Sequence, residues 1–367
     1  MTAQAQPRPD ARWVRPKFPA DSVLQREIAR RVDEYFERSG LSPRDSPQMY
    51  LKTAMLLTWF VGSYALLVFV VSSVWLAIPL SLSLALAVAG IGFGIQHDAN
   101  HGAYSKRPAV NRLLGSTLDL LGASSYIWHW KHNHFHHTYP NMSGADADIE
   151  LGPLGRLAPS QRRRGVHRFQ QFYLWVLYGF LYVKWHLVDD IRDVTQGRVA
   201  QNRFPRPRGW RLAQLCAGKV AFFAWALVIP MILHTWWHVL LFYACSSIVV
   251  GVTLSVVFQM AHCIEEASFP VPVAGSQRVE SGWVVHQLST TADFARGNWL
   301  LTWYLGGLNF QVEHHLFPRV CHVHYPALSK VVEKACSDLG APYVAHRGAF
   351  GALASHWRFL RRMGQPG

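Results

Sequence analysis

With 367 residues, half of them hydrophobic, 15 tryptophans and a mean hydropathy of +0.07, the chain reads as a membrane protein with large polar segments, not as a pair of soluble domains. Its formal net charge of +14 accompanies apolar spans and no nucleic-acid motif, which points to anionic lipid headgroups and against a nucleic-acid partner. The five cysteines (Cys216, Cys245, Cys263, Cys321 and Cys336) form no CxxC pair and no disulfide framework, so a reducing compartment is the simplest reading.

Residues 1–50 read as a polar arm without the apolar stretch of a cleavable signal peptide. Within it Val23, Ile28, Val32 and Tyr35 recur at helical spacing, predicting an amphipathic helix on the membrane surface or against the rest of the protein. Two apolar runs, 53–75 and 76–96, are each about twenty residues long and predict a hairpin of membrane spans. Gly90, Gly92 and Gly94 lack the spacing of a nucleotide loop and read as close helix packing. The polar segment 97–210 holds two apolar patches, 113–128 and 172–187, which predict interfacial helices. A second hairpin follows at 219–233 and 239–260, with Trp236 and Trp237 at its turn as an interfacial belt.

The expected organisation is therefore an arm (1–50), a membrane domain (51–330) and a C-terminal segment (331–367). The expected fold is an all-α integral membrane protein with four transmembrane helices in two hairpins and a cytoplasmic helical cap. Lys and Arg fall almost wholly outside the spans and are absent from both hairpin turns, so both termini and the middle segment are expected on the cytoplasmic side.

Three histidine clusters lie on that side. In HDANH, His97 and His101 share a helix face, with Asp98 placed to orient a ring. In KHNHFHH, a helix would put His132 and His136 one turn apart and His137 off to one side. In QVEHH, Gln311 and His315 are one turn apart beside His314, and His262 stands at the end of the fourth span. Eight imidazoles exceed the needs of one ion and argue for two metals. No HExxH motif supports a zinc hydrolase, and haem would use single histidines on facing spans. Nitrogen-rich coordination beside a membrane fits a di-iron centre that activates oxygen.

HDANHGAYS, KHNHFHHTYPNMSGADADIE and HQLSTTADF followed by GGLNFQVEHHLFP, interleaved with two apolar hairpins, resemble the three histidine boxes of the integral-membrane fatty acid desaturases over roughly residues 50–330. The Gln at position 311 resembles the front-end branch, which desaturates between an existing double bond and the carboxyl end. The resemblance implies His97, His101, His132, His136, His137, His262, His314 and His315 as ligands of two iron ions, with no catalytic residue beyond them. It leaves Gln311, Asp98, Asn141, Asp146, Asp148 and His286 as further ligands or their supports. His322 and His324 are candidates for supporting or substrate roles, and His134 falls at a variable position. It further implies O2 as co-substrate and a fatty acyl-CoA or acyl-lipid substrate, whose headgroup Arg162, Arg163 and Arg164 are placed to meet. Many front-end enzymes carry a fused cytochrome b5 with an HPGG motif. This sequence has none, so electrons are expected from a separate ferredoxin, cytochrome b5 or flavoprotein reductase. The alternatives are a hydroxylase or ketolase on the same scaffold and, from another class, a histidine-rich metal transporter.

Overall fold

The computed structural model describes residues 15–366 except 21, 273–275 and 277, so residues 1–14 of the expected arm lie outside the described residues. Four helices are long and apolar enough to cross a membrane: Pro47–Val70, Val74–His101, Trp210–Leu233 and Trp236–His262. Among the described residues the only strands are two two-residue pairs, so the all-α expectation holds.

Each span is longer than its apolar run, because helical hydrogen bonding continues into the polar flanks. The second runs unbroken through the first histidine cluster and the fourth ends on His262. At 1.5 Å per residue the 28-residue second span is ~42 Å long, against ~30 Å of bilayer hydrocarbon. The excess length, together with the polar sequence from His97 onward, carries its histidine end out of the apolar layer.

The second span packs between the first and the fourth, and the glycines permit this. A Cβ on Gly90 would lie 2.9 Å from Leu56, and one on Gly94 would lie 2.8 Å from the Lys52 side chain. Gly251 brings the fourth span against the carbonyls of Tyr178 and Gly179 at the end of the helix Gln170–Tyr178. That helix and Pro108–Gly115 leave Phe172, Val176 and Leu113 exposed, as helices lying in a membrane interface would.

The amphipathic helix of the arm is Val23–Ser39, capped by the Ser22 side chain and ended by Gly40 at φ 63°. It buries Leu24, Ile28 and Val32 against Leu328 and Val332 of the helix Tyr325–Asp338, while Val23 points to solvent. The helix Tyr325–Asp338 crosses residue 330, where the sequence reading divides the chain.

Candidate metal centre

All eight predicted histidines meet in one buried cluster at the upper ends of the second and fourth spans. Each exposes at most 8% of its surface. The ligand-capable atoms of His97, His101, His132 and His314 lie within 4.8 Å of one another, as do those of His136, His262 and His315; His137 forms a third such set with His314 and His315 and so joins the two.

The second cluster departs from the α-helix assumed above. His129–His136 is a π-helical segment, and the N–H of His137 donates to the carbonyl of His132 five residues back at 3.0 Å. The wider turn brings His132 and His137 together, their Nε2 atoms 3.2 Å apart. His136 instead turns towards His262 and His315, at ring-centroid distances of 4.7 and 5.0 Å. His97 Nε2 approaches His132 Nε2 to 3.2 Å from the first cluster.

Partners on the far side of the rings decide which nitrogen faces inward. His136 Nδ1–H donates to Asp146 at 3.0 Å, His262 Nδ1–H to the Thr290 carbonyl at 3.1 Å and His315 Nδ1–H to Gln287 Oε1 at 2.8 Å. Each bond leaves an Nε2 lone pair for the interior. The Nε2 atoms of His101, His136, His314 and His315 and the Nδ1 of His137 are buried without a hydrogen-bond partner. Converging lone pairs repel one another and are costly to bury unmatched, so this set fits a bound cation. Borderline transition metals suit a shell of neutral imidazoles, and the two separate sets, joined through His137, suit two ions.

The electrostatics agree. Burial, reinforced by neighbouring imidazoles, holds His132, His137, His314 and His315 well below the usual histidine pKa, in the neutral form that binds metal. Burial also acts on His136, but the charge of Asp146 and its hydrogen bond outweigh it, with Asp148 adding to the effect, and raise that ring above the usual value.

The other predicted residues divide. Gln311 joins the cluster, with Nε2 2.9 Å from His262 Nε2. Asp146 supports His136 and also accepts the backbone N–H of Asn141 at 2.9 Å. The Asn141 side chain, at a residue with φ 59°, donates to the carbonyls of His262, Ser268 and Thr290 and ties three segments behind the site. Asp148 shares a further metal-capable set with His132 and His136, at 3.8 Å from His136, and also lies 2.7 Å from Lys131. Asp98 faces away from the cluster and accepts from the backbone and ring of His322 at 3.1 and 3.0 Å. His286 is fully buried but packs on Phe18 outside the metal-capable sets. His134 is exposed and stacks on Trp130, and His324 bonds the Ser42 carbonyl.

Several supports carry no motif and escape a sequence reading. Gln287 spans the site by donating to the His137 carbonyl at 3.1 Å while accepting from His315. Lys52, buried in the first span, lies 2.9 Å from His322 Nε2 and so completes a chain to Asp98. The sequence signal for Lys52 was a lone cation at the edge of an apolar run, which also reads as a flank residue reaching for water. Behind the third cluster, Asp293 accepts the N–H of Val312 at 3.1 Å, and Tyr343 bonds both Asp293 and Glu313. Burial pushes the Glu313 carboxyl well up and Asp293 up to about 6.

Comparison with known proteins agrees with the geometry. A family model described as fatty acid desaturase matches residues 73–347. The chain is 38% identical over 343 residues to an sn-1 linoleoyl-lipid 6-desaturase of Arthrospira platensis, covering 93% of this chain and 92% of that protein. It is 36% identical to a protein of the same description from Synechocystis, covering 95% and 98%. An acyl-lipid (8-3)-desaturase of Physcomitrium patens is 36% identical over 92% of this chain and 71% of its own length.

Proposed function

The chain belongs to the fatty acid desaturase family, and from that premise we propose that it uses two iron ions and O2 to insert a cis double bond into a fatty acyl chain of a membrane lipid. The hydroxylase, ketolase and transporter alternatives draw no support from the relatives. The observation that carries the iron reading is the pair of adjacent all-imidazole sets, bridged by His137, with buried, inward-facing lone pairs.

His97, His101, His132 and His314 would hold one ion and His136, His262 and His315 the other, with His137 at their junction and Gln311 beside His262. When bound, the iron pair supplies the activation of O2 needed to remove hydrogen from an unactivated methylene. The net change is –CH2–CH2– plus O2, two electrons and two protons giving –CH=CH– and two waters. The protein's own work is positional. Asp146, Thr290 and Gln287 fix the ring orientations, and the spans and interfacial helices hold one pair of carbons near the cluster.

A cavity of about 150 Å³ between the spans, lined by Ala85, Val88, Phe222, Trp225, Tyr243 and Val250, begins nine residues or ~14 Å down the second span from His97. We assign it to the methyl end of the acyl tail. An acyl-lipid substrate agrees with what the relatives act on by name. By the distribution of Lys and Arg, the cluster and both termini face the cytoplasm, and a separate carrier supplies the electrons.

The test is expression in a desaturase-deficient host, with mass spectrometry to place any new double bond and metal analysis of the purified protein. A product bearing oxygen in place of a double bond, or a protein that binds no iron, would refute this reading.

A further inference from the structure

The cationic surface is unevenly placed. Arg203, Arg206, Arg208 and Arg211 flank Trp210, which is 70% exposed at the start of the third span, and Arg162, Arg164 and Arg168 flank the exposed Phe169 and Phe172. Cations beside exposed aromatic rings mark the level of lipid headgroups. A third group, whose Arg107 caps the interfacial helix Pro108–Gly115, is distinguished by hydrogen bonds that lead to the histidines. Three segments, 43–46, 102–107 and 319–321, are stitched into one roof beside the first histidine cluster. Asp45 N–H donates to the Tyr104 carbonyl at 3.0 Å, Cys321 N–H to the Pro43 carbonyl at 2.9 Å, and Arg44 Nε to the Arg319 carbonyl at 3.1 Å.

This roof carries Arg44, Lys106, Arg107 and Arg319, with Arg112 at its edge. Its one carboxylate, Asp45, is already engaged by Ser105, by Tyr50 at 3.1 Å and by the Lys106 N–H at 2.8 Å. The face is therefore strongly positive. The first span is ~36 Å long and its apolar run begins at Thr53, so its Pro47 end reaches the headgroup level and Arg44 stands further along the chain from the hydrocarbon. From this face a hydrogen-bonded route leads inward: Cys321 is followed by His322, whose ring and backbone both bond Asp98, and Asp98 is joined covalently to His97.

We propose that this roof is the docking surface for an acidic one-electron carrier protein, and that the His322–Asp98 link is its electrical contact with the first cluster. The inference rests on the desaturase reading, in which each double bond consumes two electrons. Two reduced carriers each give up one electron and leave oxidised, while the two protons are drawn from solvent. Charge complementarity accelerates encounter and sets orientation, and for exposed pairs it is screened by salt.

The test uses full-length iron-loaded protein in nanodiscs of neutral lipid, with a plant-type ferredoxin reduced by NADPH through its reductase as the probe. Lys106→Glu combined with Arg107→Glu changes side chains that make no hydrogen bond among the described residues, and Arg319→Gln is the milder second variant. The double variant is expected to raise the KM for ferredoxin ~10-fold at low salt. Its turnover at saturating ferredoxin, and turnover driven by a small neutral photoreduced mediator, should stay at the wild-type level, and the wild-type KM should rise with salt. An unchanged KM overturns the proposal. So does an equal defect with the mediator, which would mean damage to the fold, or a defect confined to nanodiscs of anionic lipid, which would mean a headgroup site. Wild-type turnover with the mediator but none with ferredoxin also overturns it. If the wild type forms no double bond with either electron source, the desaturase reading itself falls, and this one with it.

Discussion

Asp146 is the most informative single side chain to change. It is fully buried and accepts three N–H groups: His136 Nδ1 at 3.0 Å, Asn141 at 2.9 Å and Asp148 at 3.0 Å. Asp146→Ala would leave those donors unmatched, at about 1–3 kcal/mol for each that water cannot reach, and is expected to damage the fold. Asp146→Asn keeps the size but loses the charge and turns one acceptor into a donor, so His136 loses the support that holds its Nε2 lone pair inward. Losing a supporting carboxylate of this kind typically costs 10–100-fold in metal affinity, or about 1.4–2.7 kcal/mol. The assay is iron retention against a graded chelator, paired with the yield of double bond at limiting and at excess iron. The Asn variant should lose iron at lower chelator and recover part of its yield with excess iron. Wild-type retention and yield at every iron level would refute the reasoning.

The remaining predictions concern acid, tail length and the buried lysine. His132, His137, His314 and His315 all have pKa values well below 6.5 in the folded protein, so the unfolded chain binds more protons below pH 6.5. Stability is then fully present above that pH and falls as pH drops, by up to ~1.4 kcal/mol per unit for each ring. His136, whose pKa is raised, runs the other way. Metal release measured against pH should be cooperative below pH 6.5, and a shallow single-site titration would contradict this. Val88→Phe narrows the cavity between the spans and should shift product towards shorter acyl chains in mass-spectrometric profiles, whereas an unaltered profile would remove the tail from that cavity. Lys52→Met removes the buried ammonium that bonds His322 Nε2 and leaves that nitrogen unmatched, a change expected to cost about 1–3 kcal/mol. Melting in detergent should fall clearly, and an unchanged transition would show the chain to be dispensable.

The spans and the histidine clusters were legible because each depends on local composition or spacing. An apolar run must hydrogen-bond its own backbone in lipid, so it is helical whatever surrounds it. Helix ends were less legible, because hydropathy stops where polarity begins while backbone bonding continues to His101 and His262. The pairing of His132 with His137 was not legible. It requires a π-turn, and the sequence alone favoured α-helical spacing and with it His132 beside His136. Asp98 read as a support for a ring in its own cluster, yet it serves His322 from another segment. Gln287, Lys52 and Tyr343 gain their roles only from long-range folding, at separations of 28, 270 and 50 residues from His315, His322 and Asp293.

The length of the second span has a consequence for the lipid as well as for the protein. Because the cluster lies where the second span leaves its apolar run, the reacting carbons must be drawn up to the edge of the bilayer. Each methylene withdrawn gives up ~0.8 kcal/mol of contact with its apolar surroundings unless protein replaces them. The walls around the acyl path must therefore act as a portable piece of bilayer. The same gradient works in reverse once the double bond is made: the membrane pulls the finished chain down again, so release of product runs with the restoring force of the bilayer.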